Sequence, residues 1–266
     1  MKYALVGGWG YVGANLSDHM ESCVIARKSS AERRSFLEYA FEGKEVIMVN
    51  EFNEKELREA LERCGADVLV YVAGKIKGKY EEMKEAHVDK ALLSYDIAEE
   101  LGMRYVYISS VASMGLADKC KVGGVVMEED ELLEGCEPVG NYSITKAEGE
   151  LKLYERSKGK VGIVRPALVK GKYAYHIEWT WLKIAKKLKI PVPNVSVTTI
   201  PCLVQGIETA VERPGWYIPV DTSLAELGLK TFEVKPPKVL IKSLPDPWNL
   251  SLLSLRYKYA SRYLAC

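Results

Sequence analysis

The stretch Ala4-Leu5-Val6-Gly7-Gly8-Trp9-Gly10-Tyr11-Val12-Gly13 sets an apolar run directly before glycines spaced three apart, at 7, 10 and 13. An amphipathic segment follows, from about Tyr11 to Glu21. The order is strand, tight turn, helix. One glycine lets the chain leave the strand sharply, a second leaves no Cβ between backbone and a pyrophosphate, and a third lets the helix pack closely on the sheet. The first N–H groups of the helix then face phosphate. The reading is a dinucleotide site at Gly7, Gly10 and Gly13, with Trp9, Tyr11 and Val12 between them. A plain glycine-rich turn after a buried strand would look the same, so the rest of the chain has to decide.

The strand after this helix, Cys23–Ala26, runs into Arg27-Lys28-Ser29-Ser30, with Arg33 and Arg34 close behind. An acidic residue near this strand end holds the ribose of NAD, and cations replace it where NADP binds. No carboxylate follows Ala26 directly. Arg27, assisted by Lys28 or Ser29, suits a 2′-phosphate, so NADP is expected over NAD, with NAD the alternative. Arg33 and Arg34 fit a solvated basic helix start equally well.

Alternation continues. Glu45–Val49 reads as a third strand followed by Asn50, and Glu54–Cys64 as a helix with Leu57, Ala60 and Leu61 inward. Asp67–Val72 is an apolar fourth strand closed by Ala73-Gly74, small enough for close approach of a cofactor. One long helix is expected over Tyr80–Leu101, with Gly102 as its C-cap. Arg104–Ser109 and Val161–Arg165 are the fifth and sixth strands. The fold class is α/β, a Rossmann-type doubly wound parallel sheet with helices on both faces. Prolines become frequent after Pro166. The expected division is a dinucleotide-binding domain over 1–166 and a small substrate lobe with a tail over 167–266.

In that lobe, helices are expected over Tyr173–Leu188 and Leu203–Glu212, and a short strand over Trp216–Val220. Lys183, Lys186, Lys187 and Lys189 could meet a substrate diphosphate, although a solvated cationic helix end explains them as well. From Lys230 the tail carries seven basic and two acidic residues. Its last segment, about Leu250–Leu264, reads as an amphipathic helix that packs on its own domain, on a second subunit or on an acidic membrane surface.

The chemistry gathers after the fifth strand, at Ser109-Ser110-Val111-Ala112-Ser113-Met114-Gly115, and again at Asn141-Tyr142-Ser143-Ile144-Thr145-Lys146. Tyr142 and Lys146 share one helix face. An ammonium beside a phenol lowers its pKa, so Tyr142 could exchange a proton with a carbinol or keto oxygen. Ser110, at a strand's carboxyl end where ligands bind in such sheets, could orient that oxygen.

A glycine turn at the first strand, a serine pair at the fifth and Tyr-x-x-x-Lys before the sixth, in that order, resemble the extended short-chain dehydrogenase/reductase superfamily, and more narrowly the NAD-dependent epimerase/dehydratase family. The resemblance covers about residues 1–171 and includes Glu150 and Val164-Arg165-Pro166. It implies a catalytic triad of Ser110, Tyr142 and Lys146. Tyr142 would be the acid/base, Lys146 would hold the nicotinamide ribose, and Ser110 would orient the substrate, with Ser109 the alternative serine. It implies cofactor contacts at Ala73, Gly74 and Pro166. Asn50 stands where the family often has an adenine-binding Asp, and His87 where it often has Asn. Val111-Ala112 replaces the Asp-Glu pair of sugar dehydratases, which argues against water elimination. The implied substrate is a nucleotide-activated sugar undergoing 4-keto reduction or epimerisation, and a homodimer is implied by the same resemblance. The competing expectation is a nucleotide-binding accessory subunit that docks to a partner or membrane through its tail.

Composition sets the outer bounds. A net charge of +1 offers no field for nucleic acid. No apolar run reaches bilayer length, and the opening residues read as a strand rather than a signal peptide, so a cytoplasmic protein is expected. The six cysteines lack C-x-x-C spacing, so no metal site is expected and buried free thiols are. Gln205 is the single glutamine. That scarcity fits a thermophile, in which case a disulfide becomes an option.

Overall fold

The computed structural model describes residues 1–116, 137–246 and 248–255. Its centre is a seven-stranded sheet whose neighbours all pair in parallel. The strands are β1 (Tyr3–Val6), β2 (Ser22–Arg27), β3 (Glu45–Val49), β4 (Val68–Tyr71), β5 (Arg104–Ile108), β6 (Gly162–Val164) and β10 (Gly215–Tyr217). Their order is β3-β2-β1-β4-β5-β6-β10. Winding reverses between β1 and β4, which puts the glycine turn at the switch point of the sheet. Register brings the tips together: Val6 lies beside Ile25 on one side and Tyr71 on the other.

Apolar runs make these strands because both faces are covered. Alternate residues feed two cores. Ala4, Val6, Cys23, Ile25, Leu69, Tyr71 and Tyr107 face one; Leu5, Val24, Val70, Val106, Ile108 and Tyr217 face the other.

The helices on the first face are α3 (Glu54–Cys64), α4 (Tyr80–Lys84), α5 (Lys90–Glu100) and α6 (Gly140–Ser157). A capping box starts α3: Asn53 Oδ1 accepts from Glu56 N at 2.9 Å, and the Glu56 carboxylate accepts from Asn53 Nδ2, also at 2.9 Å. Gly65, at φ +57°, ends it. The single helix expected over Tyr80–Leu101 is interrupted by a π turn at Glu85–Asp89. Two carbonyls of that turn are taken by phenols from the sheet, Ala86 by Tyr71 at 2.7 Å and His87 by Tyr107 at 3.0 Å. Beyond α5, Gly102 has φ +69° and its N–H bonds Glu99 O, the expected glycine stop.

On the other face are α1 (Tyr11–Leu16) and α8 (Ile200–Glu212), with α2 (Lys28–Arg33) after β2. The first helix is shorter than its pattern suggested. The Ser17 hydroxyl takes Ala14 O at 2.9 Å and the His19 ring meets Asn15 O at 3.0 Å, local bonds that compete with a further helical turn.

After residue 166 come β7 (Leu168–Lys170), α7 (Ile177–Leu188), β8 (Val192–Pro193), β9 (Ser196–Thr199), β11 (Thr222–Ser223) and β12 (Thr231–Phe232), forming two small sheets, β11-β9-β7 and β12-β8. This part also returns to the main body, because β10 completes the central sheet and α8 covers it. The chain then forms α9 (Lys238–Ser243) and α10 (Trp248–Ser254). Leu253 of α10 is fully buried in the first core. The rest of the expected tail helix, from residue 256, lies outside the described residues.

The expectation of free thiols fails: none of the described cysteines is free, and Cys202 is disulfide-bonded. Cys23 in β2 and Cys64 at the end of α3 are joined by a disulfide, with Cα atoms 6.1 Å apart. Spacing gave no hint, since the pair forms only when α3 folds back onto β2.

Candidate active site

Each glycine of the first turn meets a different need. Gly7 has φ +80°, and a Cβ there would lie 2.4 Å from the Ala73 Cβ. A Cβ on Gly13 would lie 2.1 Å from Gly8 O, so the helix can touch the turn only as glycine. A Cβ on Gly10 would meet nothing within 4 Å. The side of the turn at Gly10 is open, and the N–H groups of Tyr11 and Val12 precede the first intrahelical bond, Ala14 N to Gly10 O. This arrangement fits a pyrophosphate.

The side chains between the glycines point elsewhere. Trp9 stacks on Phe41 with centroids 4.3 Å apart and donates to Arg34 O. The Tyr11 phenol donates to Val169 O at 3.0 Å and accepts from Gly171 N at 2.6 Å. Asn15 adds bonds from Lys172 N and Tyr173 N to its Oδ1. Tyr11 and Asn15 thus clamp the segment after β7 to α1, and Asn15 was not singled out from sequence.

At the β2 tip, Arg27 meets a carboxylate that the local sequence hid. Glu51, arriving from the end of β3, lies 3.2 Å from its Nη1, and the guanidinium sits 5.6 Å from the Phe52 ring centroid. Lys28 and Ser29 open α2, and Ser29 O accepts from Arg33 Nε. Asn50 is engaged through N and Nδ2 with the Glu56 carboxylate, at 2.6 and 3.1 Å. Those bonds, the Asn50 N–H first, hold the Glu56 carboxyl below its usual range.

The second half of the site forms where β5 ends. Ser110 caps a 3-10 turn at Val111–Met114, accepting from Ala112 N at 3.2 Å. Its hydroxyl lies on the Tyr142 side of the turn, close enough to draw the phenol's pKa down. Pro166 O accepts from Val111 N at 3.1 Å, bringing the β6 end against the same turn. Of the two serines, Ser110 meets Tyr142, whereas Ser109 donates to Glu150.

Lys146 lies one helical turn beyond Tyr142 on α6. It is buried, donates to Ile108 O at 2.8 Å and sits 4.7 Å from the Tyr107 ring centroid. Burial lowers its pKa to about 7, against the opposing pull of Glu150. The sequence suggested that Lys146 would bring the Tyr142 phenol down. In the structure burial dominates and the phenol is pushed up, with nearby Ser110 as the counterweight. The reason is geometric: the ammonium is directed at the strand carbonyl.

His87 belongs to this cluster. Thr145 Oγ1 donates to Asn141 O at 2.7 Å, so it accepts from His87 Nδ1 at 2.8 Å. His87 Nε2 accepts from Lys75 N at 3.1 Å. Burial, then the Lys146 charge, pushes the imidazole down to about 2. It is a neutral brace between α6 and the loop after β4, with its ring edge-on to Tyr142 at 5.4 Å. Gly74 lies beside it: a Cβ there would be 3.2 Å from His87 Nε2 and 3.7 Å from Lys146 Nζ.

Sequence reasoning also missed Asp246, whose carboxylate accepts from Asn141 N at 2.8 Å at the start of α6. Its partner is 105 residues away, and no local signal announces such a cap.

A parallel sheet in this order, a glycine turn at its switch point and a Ser-Tyr-Lys cluster at the same edge define a Rossmann-type fold with a candidate active site at the carboxyl ends of its strands. The chain belongs to the NAD dependent epimerase/dehydratase family, whose model matches residues 3–192. Among solved structures it is similar to the Bordetella bronchiseptica enzyme WbmG in complex with NAD and UDP. That match has 15% identity over 98% of this chain and 90% of the other, with a TM-score of 0.67. The UDP-glucuronic acid 4-epimerase from Bacillus cereus in complex with NAD shares 16% identity over 85% of this chain and 82% of its own, with a TM-score of 0.63. The dTDP-4-dehydrorhamnose reductase from Bacillus anthracis in complex with NADP shares 15% over 87% and 82%, with a TM-score of 0.61. A search of curated proteins by sequence finds no match. Among the described residues no helix is long and apolar enough to cross a membrane.

Proposed function

We propose that this chain is an NAD(P)-dependent oxidoreductase or epimerase acting at a carbinol or keto carbon of a nucleotide-activated sugar, with Ser110, Tyr142 and Lys146 as its catalytic residues. The observation that carries the reading is the grouping of Ser110 and Tyr142 with buried Lys146 at the carboxyl edge of β5. A bound nicotinamide supplies the hydride. Gly7, Gly10 and Gly13, with the backbone of Trp9, Tyr11 and Val12, hold the pyrophosphate. Ala73, Gly74, His87 and Pro166 border the nicotinamide end, and Asn50 the adenine end. Ser110 orients the substrate oxygen, and Tyr142 exchanges a proton with it at Oη. Burial raises the Tyr142 pKa, so its side chain rests as the phenol and has a proton to give to a substrate oxygen. Val111 and Ala112, both buried, offer no further acid or base for water elimination.

NADP is the proposed cofactor, on the strength of Arg27 with Lys28 and Ser29; Glu51 is the competitor that the 2′-phosphate must displace. The lone glutamine and the Cys23–Cys64 bond support a thermophilic source for a cytoplasmic protein. A homodimer through α5 and α6 is part of the same proposal. The rival reading as a tail-docking accessory subunit is weakened by α10, whose Leu253 is spent on the chain's own core.

Tyr142→Phe tests the assignment. Turnover should fall by about 1,000-fold while NADPH affinity, read by fluorescence titration, stays within twofold. An active Phe variant removes Tyr142 from the chemistry.

A further inference from the structure

Behind the triad lies a charged pair that the proposed reaction does not use. Glu150 is 2% exposed and the Arg165 side chain 4%. Arg165 Nε lies 3.0 and 3.1 Å from the two carboxylate oxygens, and Nη2 also donates to Oε2. Ser109 Oγ donates to Oε1. Burying two charges is costly, and a well-packed apolar pair of similar volume would serve stability as well or better. The pair therefore calls for a reason beyond holding the fold.

Its position supplies one. Glu150 follows Lys146 by one helical turn and Tyr142 by two, on the same face of α6. Ser109, which it anchors, immediately precedes Ser110. The helix can sit this close because residue 149 is glycine; a Cβ there would lie 2.4 Å from His87 O and 2.8 Å from the Tyr107 hydroxyl.

Resting on the catalytic reading above, we propose that Glu150 is a positioning residue of the site: it anchors Ser109 so that Ser110 presents its hydroxyl to Tyr142, and it is the buried counter-charge that keeps Lys146 protonated. Among the described residues, the other groups around Lys146 do not neutralise it. Tyr107 and the Ile108 carbonyl face it from β5, neutral His87 from the π turn, and Tyr142 from its own helix, while Arg165 stands beside Glu150 from the β6 end. Among the described residues Glu150 raises its pKa, against the burial that has brought it to about 7. The ammonium is present below that value and lost above it. Removing the carboxylate lowers the value further, so loss of function with rising pH begins earlier.

The test uses the full chain and three variants. Glu150→Gln takes from Arg165 its buried carboxylate and can fail to fold, so the paired Glu150→Gln/Arg165→Met carries the measurement, with folding checked by melting. The pH profile of kcat/KM and, independently of turnover, the pH dependence of NADPH affinity are recorded. Both should lose their alkaline limb about one pH unit earlier than in the wild type. Ser109→Ala keeps every charge. It should lower kcat about tenfold with KM within twofold and the limb unmoved. A folded paired variant whose limb coincides with the wild type overturns the counter-charge role, and an unchanged kcat in Ser109→Ala overturns the anchoring role. Failure of the catalytic reading looks different: Tyr142→Phe would keep turnover, while the affinity profiles would still report on Lys146.

Discussion

In the proposed site, Arg27 is the residue that would decide what the outer end can hold. Its guanidinium faces the Glu51 carboxylate at 3.2 Å, with both side chains partly open to water. An exposed pair of this kind contributes at most about 1 kcal/mol. A 2′-phosphate carries more charge and accepts from a guanidinium in a bidentate way, so it can displace the carboxylate at small cost. Glu51→Gln removes the competitor. It should raise NADPH affinity about fivefold and leave NADH affinity within twofold, both measured by fluorescence titration. If instead NADH affinity falls tenfold and NADPH affinity does not change, Glu51 is a ribose ligand and the cofactor is NAD. Sequence alone could not pose this question, because Glu51 and Arg27 come from different strands and meet only through the β2–β3 register.

At the scale of elements, the glycine turn separates folding from binding within one motif. Gly13→Ala would drive a methyl against Gly8 O and Cα at 2.1 and 2.4 Å, where only backbone can yield. That should cost about 3 kcal/mol of stability, read as a lower melting temperature. Gly10→Ala meets open space and should melt within ~0.5 kcal/mol of the wild type. It should nevertheless bind NADPH at least tenfold more weakly, since the methyl stands where the pyrophosphate would lie. A Gly10→Ala variant with wild-type affinity would place the phosphates elsewhere. The same contrast shows what the sequence made legible. β3 and α3 were legible because an apolar run between turns and the inward stripe of Leu57, Ala60 and Leu61 are local signals; the Asn53 cap and the Gly65 stop were found only in the structure. That Ser110, Tyr142 and Lys146 would lie at one sheet edge was readable because Tyr142 and Lys146 are one helical turn apart and Ser110 follows a strand. The π turn was not, because its cause is two phenols on β4 and β5 that take carbonyls out of the helix. Nor was the direction of the Tyr142 shift, which depends on how deeply α6 sits and where the ammonium points.

For the molecule as a whole, the cross-link between Cys23 and Cys64 ties the sheet to its covering helix across 41 residues of sequence. Both cysteines are buried in the first core beside Ile25, Leu57 and Leu61. In the chain-entropy account, closing a loop of that length stabilises the fold by about 4 kcal/mol through the unfolded state. For a chain of this size such a contribution corresponds to roughly 10 °C of melting temperature. The paired variant Cys23→Ala/Cys64→Ala tests this without exposing the other cysteines to reductant. Its melting temperature should fall by roughly that amount, while NADPH affinity stays within twofold, since neither sulfur is on the side of the sheet edge where the site lies. A paired variant that melts with the wild type would mean that packing of α3 on β2, through Leu57 and Leu61, already supplies the restraint, and that the bond adds nothing the core does not provide.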